Sequence, residues 1–288
     1  MVMFASVLWG TGDVIAKFVY QVSAANSISI AFLRMALSVP PLFAICWLAL
    51  RQRMFRLSRR QVWPMLVAGA LVALYQVAYY AAIPLVGVAI ATLIALCSAP
   101  VIVAVLSTLI ARERPQAVVL MALACAIAGT LLLVQVQPST TQSQTNTLGG
   151  ALLALLSGLL YAINVLVGRK LGGNNSTHPL QTVTFGFAFG AVILGVIGLA
   201  SGLVINFPAR GWVGLLYLGV ISTAVAYALF YAGMRSTAST KASIATLLEP
   251  LTATLIAWQV FDEPLSSRVV LGGGLLVAAM LLLLWERK

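Results

Sequence analysis

Four ionisable side chains, Asp13, Lys17, Arg34 and Glu249, stand inside stretches of sequence that are otherwise apolar. A charged group in hydrocarbon is expensive, about 2.5–3.5 kcal/mol even on lenient insertion scales, so such residues face a bundle interior and take a partner there. Asp13 and Lys17 are four residues apart, which places them on one face of a helix within reach of an ion pair. Arg34, about 9 Å into the next apolar stretch, reaches a similar depth. Glu249 is followed by a helix breaker in "TLLEPLTATLIAWQVFDEP"; if that helix runs from Ser239 to Phe261, the acid lies about 15 Å from either end, at mid-bilayer. Pro250 removes a backbone donor to Thr246 and so predicts a local break at the acid. Two acids and two bases are neutral together, and a zwitterionic amino acid suits such a site: its ammonium needs an acid, its carboxylate a base or a helix N-terminus. Proton relay, or a fixed salt-bridge set with Pro250 as a packing kink, is open to the same residues.

Aromatic residues surround these positions. Tyr75 with Tyr79 and Tyr227 with Tyr231 are pairs at i and i+4, each displaying one helix face. Tyr75 and Tyr227 lie deeper and are candidate cavity walls, whereas Tyr79 and Tyr231, nearer the helix ends, also fit an interfacial belt. Trp9, Gln76, Tyr161 and Asn164 are further candidates by polarity and position; Trp47, Trp63, Trp212 and Trp285 read as interfacial anchors, and Lys241 as a snorkelling lysine. His178 stands alone beside Pro179 in an expected loop, and no His or Cys cluster suggests a metal. A phosphate-binding Gly-rich loop is absent, so neither ATP hydrolysis nor a bound cofactor is expected. Asp262 and Glu263 form the sole adjacent acidic pair, and Glu113 sits among arginines, a pattern suited to helix-end capping. A membrane-embedded lipid-modifying enzyme would need a carboxylate or histidine cluster at a membrane surface, and none is present.

The elements that must carry these residues follow from composition. Hydrophobic residues make up 61% of the 288 and charged residues 8%, far from the roughly 25% charge of soluble domains. The chain reads as an all-α integral membrane protein surrounded by lipid. Its net charge of +11 sits in short bridges and not on a phosphate-tracking surface, so no nucleic acid is implied. Ten segments are long enough to cross a bilayer: 2–22, 28–50, 62–83, 86–111, 116–135, 149–171, 180–202, 211–233, 239–261 and 266–286. The first has no basic leader or cleavage site and reads as a retained helix. The bridge "RQRMFRLSRR" carries five arginines, and basic pairs recur at every second boundary after it. By the positive-inside rule both termini are cytoplasmic, as in a prokaryotic inner membrane, with the polar linker 138–148 on the outside. Cys46, Cys97 and Cys125 lie in apolar segments and imply no disulfide framework. Small-residue spacings such as Gly186 with Gly190 allow close helix approach without specifying an oligomer.

The linker divides the chain into halves, 1–137 and 149–288, that resemble one another. Pro100 and Glu113 recur 150 residues later as Pro250 and Glu263; Tyr75 and Tyr79 recur 152 residues later as Tyr227 and Tyr231. Trp9 and Lys17 correspond to Tyr161 and Arg169 in chemical character. Five spans per half is an odd number, so the second half must enter the bilayer upside down. Two inverted five-helix repeats are the architecture of alternating-access carriers, which hold a small-molecule substrate, in some cases with protons, near the midplane.

Three stretches resemble a known family. "SVLWGTGDVIAKF", "AFLRMALSVPPLF" and "ASIATLLEPLTATLIAWQVFDEPLS" are similar to the EamA-type repeat of the drug/metabolite transporter superfamily, in two tandem copies over the whole chain. The resemblance implies a ten-helix fold and export of small metabolites, amino acids prominent among them; a drug-like cation is the alternative cargo. The first copy reads Ala99-Pro100 where the second reads Glu249-Pro250, so any role for the acid belongs to one half.

Overall fold

The computed structural model describes residues 1–55, 57, 59–111, 116–134, 144–172, 178–234, 245–263 and 265–286. Among these, regular structure is helical throughout and forms ten long runs: α1 Val2–Val22, α2 Ser27–Leu50, α3 Arg59–Val86, α4 Val88–Ala111, α5 Ala117–Val134, α6 Gln144–Gly172, α7 Pro179–Ser201, α8 Ala209–Met234, α9 Leu248–Phe261 and α10 Ser267–Glu286. Seven of them are long and apolar enough to cross a bilayer on their own, while α5 and α10 contribute the shorter apolar stretches Ala117–Leu133 and Ser267–Leu282. The described part of α9, 14 residues, spans only about 21 Å at the helical rise. Arg112, Glu113, Arg114, Arg235, Lys241 and most of the linker lie outside the described residues.

Local chemistry sets the helix ends. Asn26 caps α2, its side chain accepting from the Ser29 amide at 2.8 Å. His178 is the N-cap of α7 rather than a solvated loop residue: its Nδ1 accepts from Leu180 N–H, its own N–H donates to the Gln181 side chain, and Pro179 occupies the first turn, where no donor is required. The Gln181 amide also donates to the carbonyls of Arg53 and Met54, tying the 3-10 turn Arg51–Phe55 that follows α2 to α7. One residue separates α3 from α4, Gly87 at φ 82°, a left-handed conformation natural to glycine.

The largest packing surfaces join helices distant in sequence. α3 lies along α6 and α7, α2 along α7 and α8, and α5 along α10; α4 packs on α6, α9 and α10, and α1 on α8 and α9. At the α3–α7 crossing the backbones nearly touch. A Cβ on Gly190 would lie 2.8 Å from the Gly69 carbonyl oxygen, so only glycine permits that approach. The cysteines are free thiols, and leucines such as Leu109 and Leu199 are exposed, as a lipid-facing surface requires. Trp47, Trp63 and Trp212 are exposed too, in keeping with interfacial anchors; the Trp285 side chain is outside the description.

Candidate functional site

Two glycines decide where α1 can sit. A Cβ on Gly10 would be 2.5 Å from the Glu249 carbonyl oxygen and 2.8 Å from Thr252 Cβ, so α1 lies directly against the first turn of α9. Gly12 meets Ser222 of α8 in the same way. With α1 wedged between α8 and α9, Asp13, one turn beyond Gly10, enters the interior beside Glu249. Asp13 is buried, with Arg34, Tyr79 and Thr92 as neighbours, and its Oδ2 has no hydrogen-bond partner among the described residues. Tyr79 and Thr92 bond each other through their hydroxyls at 2.7 Å. Glu249 is within electrostatic range of both Asp13 and Arg34.

Ala245 is helical, and the helix is interrupted just before Glu249. Regular α9 begins at Leu248, after a turn at Thr246 and Leu247. Pro250 therefore falls in the first helical turn, where its missing N–H has no intrahelical acceptor to lose. The Thr246 carbonyl accepts the Glu249 N–H at 3.1 Å. The acid thus stands at the positive end of a helix dipole. Pro100, its counterpart in the first half, is carried inside α4 without interrupting it.

Arg34 is fixed from two sides. Its Nε donates to Thr223 Oγ1 at 2.9 Å, one Nη donates to the Tyr80 hydroxyl, and the guanidinium stands 5.8 Å from the Tyr80 ring centroid. Thr223 belongs to a π-helical stretch of α8, Tyr217–Val225, in which the Ala226 N–H reaches the Ile221 carbonyl and the Thr223 hydroxyl donates to Leu218 O at 2.7 Å. Such wide turns are rare and cluster at functional sites. Here the wide turn lets one hydroxyl serve its own helix and the arginine together.

Lys17 does not join this group. Its Nζ bonds Glu263 Oε1 at 2.6 Å and lies 4.6 Å from the Phe261 ring centroid, so the expected Asp13–Lys17 pair does not form. The long lysine stem carries its ammonium toward the end of α1, while the short Asp13 side chain stays in the interior. Among the described residues the centre therefore brings together two acids and one base: Asp13, Glu249 and Arg34.

Aromatic rings line the same interior. Trp9 meets Tyr227 edge-on at 5.2 Å, Tyr75 meets Tyr161 at 5.6 Å, and Tyr227 stacks with Tyr231 at 6.3 Å. Tyr79 is buried against Thr92, and Tyr231 packs beside the small cluster of Cys46, Met54 and Leu180. Gln76 is buried, with its Oε1 unpartnered among the described residues. Sequence reasoning missed Gly10, Gly12, Tyr80, Thr92, Thr223 and the partnership of Glu263. The two threonines are the kind of signal that could have been used, isolated hydroxyls in apolar helices, but helices also absorb such hydroxyls into their own backbone, as Thr108 does.

The model of the EamA-like transporter family matches residues 1–135 and again 148–285. The chain belongs to the EamA-like transporter family and is an integral membrane protein. It is 26% identical to the uncharacterized transporter YwfM of Bacillus subtilis, covering 98% of this chain and 92% of that one. The uncharacterized inner membrane transporter YicL of Salmonella typhimurium is also 26% identical, over 89% of this chain and 84% of its own. The pseudopaline exporter CntI of Pseudomonas aeruginosa is 30% identical over 62% of this chain and 60% of its own. A crystal structure with 18% sequence identity superposes with a TM-score of 0.66, covering 98% of this chain and 94% of that one, a likeness of fold.

Proposed function

We propose that the chain is a secondary carrier that exports or exchanges small metabolites bearing an ammonium group, amino acids foremost, by alternating access. The observation that carries this reading is the meeting of Asp13, Glu249 and Arg34 in an aromatic-lined interior, on helices α1, α9 and α2. An ammonium group would bond the carboxylates, Asp13 Oδ2 among them, and lie against the tyrosine and tryptophan faces. A carboxylate would take the guanidinium N–H groups not engaged by Thr223 and Tyr80. Tyr75, Tyr79, Tyr227, Tyr231 and Trp9 are the walls.

Packing supports two inverted halves, 1–137 and 149–288. Exchange each helix for its counterpart five places along, and the contacts map onto one another: α3 on α6 becomes α8 on α1, α4 on α6 becomes α9 on α1, and α3 on α7 becomes α8 on α2. A pseudo-two-fold axis relating five-helix halves lies in the membrane plane, which puts a shared site at mid-depth. The exporter CntI, moreover, is a relative whose direction is outward.

A second reading is favoured by the position of Lys17. With that lysine paired to Glu263, the described residues of the centre include one carboxylate more than bases, which suits a cationic metabolite or a proton carried with the cargo. Both readings are tested by reconstituting the purified chain in liposomes and measuring flux of neutral amino acids, cationic amines and nucleotide sugars under an imposed pH gradient without ATP. Flux of an ammonium-bearing solute is the expected result; flux of nucleotide sugars alone, or a requirement for ATP, defeats the proposal.

A further inference from the structure

Away from the central site, a second set of charges draws together the ends of four helices. Glu263 follows α9 directly, one residue past Asp262, which ends the helix at φ 50°. Its Oε1 accepts from Lys17 Nζ at 2.6 Å and from the Val88 amide at 2.9 Å, and its Oε2 accepts from the Ala89 amide at 3.1 Å. One carboxylate thus caps the first turn of α4 from another helix and holds the ammonium of α1. Gly87 makes room for it: a Cβ there would stand 2.8 Å from Oε1, and the positive φ would strain any other residue. Phe261 closes the cluster beneath the ammonium.

We propose that Lys17, Glu263 and the first turn of α4 form a latch that holds this face of the bundle shut and must part for the face to open. It rests on the alternating-access part of the proposed function and extends it to a region remote from the substrate. Three features distinguish a latch from a permanent clamp. The pair is only partly buried, with side-chain exposures of 21% for Lys17 and 13% for Glu263, so water can replace each bond as it breaks. The joint crosses the single-residue connection between α3 and α4 at Gly87, a residue free of the side-chain limits on backbone rotation. The two side chains are tied to the helices that carry the central carboxylates: Lys17 is one turn from Asp13 on α1, and Glu263 lies two residues past the end of α9, whose first turn holds Glu249. A shift of α1 against α9 at the centre is therefore transmitted to the latch.

Cys97 is a native reporter. It is buried on α4 beside Glu249, about 12 Å along the helix from Ala89. With Cys46 and Cys125 replaced by alanine, the full chain is treated with a membrane-impermeant charged thiol reagent from each side in turn, in intact cells and in inverted vesicles. Lys17→Met and Glu263→Gln each raise the Cys97 labelling rate about tenfold or more, the change expected on losing a charge-assisted contact, and from one side only. Lys17→Arg, which retains a cation for Glu263, keeps the parent rate and shows that altering this position does not itself loosen the fold. An unchanged rate in either disrupting variant, or a rise of equal size from both sides, overturns the latch. The readout uses no substrate, so a failed flux assay leaves it standing, and a failed latch leaves the flux result standing.

Discussion

The central acids and the arginine do not have interchangeable roles. Arg34 is held by Thr223 and Tyr80 and is already oriented, whereas Asp13 has one carboxylate oxygen without a partner among the described residues and Glu249 stands in the first turn of a helix. Glu249→Gln preserves shape and hydrogen-bonding capacity while removing the ionisable group. We expect inserted, folded protein whose transport rate in proteoliposomes falls about tenfold or more, equivalent to losing at least ~1.4 kcal/mol of stabilisation; unchanged transport at every pH tested would reduce Glu249 to a structural contact. Charge in an apolar stretch made Asp13, Arg34 and Glu249 legible in the sequence. Lys17 was misjudged because helical spacing specifies which residues share a face but says nothing of where a flexible four-carbon stem delivers its ammonium. Its partner Glu263 is 246 residues away, beyond the reach of any local rule.

Helices place these groups by how closely their backbones approach. Gly10 allows α1 to touch the first turn of α9, Gly12 allows it to touch the π-helical stretch of α8, and Gly69 and Gly190 do the same for α3 and α7. Apolar length exposed the helices to sequence reasoning, and α1 begins and ends where the apolar stretch does. The π turn at Tyr217–Val225 was not visible there, since it depends on what the neighbouring helix offers to the backbone. Gly10→Ala puts a methyl group against the Glu249 carbonyl and is expected to cost about 1–3 kcal/mol, the usual penalty for overpacking. Thermal unfolding in detergent should register a fall of several degrees, with transport impaired beyond what the remaining folded fraction explains. A variant as stable and as active as the parent would mean that α1 and α9 need not approach so closely.

At the scale of the whole molecule, the proposed topology puts both termini on the cytoplasmic side and the linker opposite the arginine-rich bridge. Single cysteines at 56 and 143, introduced into a chain without its native cysteines, are expected to react with impermeant reagent from opposite sides of the membrane; labelling of both from one side would rule that topology out. The repeat was legible because Pro100 with Glu113 and Pro250 with Glu263 keep the same spacing, whereas the way the helices interleave was not, because no spacing encodes it. That interleaving bears on how the protein is made. The principal packing partners of α3 and α5 are α6 and α10, α2 packs equally on α7 and α8, and the turn after α2 is held by Gln181. As translation proceeds, the first five helices must wait in the bilayer with these faces bare until the ribosome has delivered the rest, so neither half is a self-sufficient folding unit, and the nascent first half depends on lipid or an insertion factor to shield what its partner will later cover.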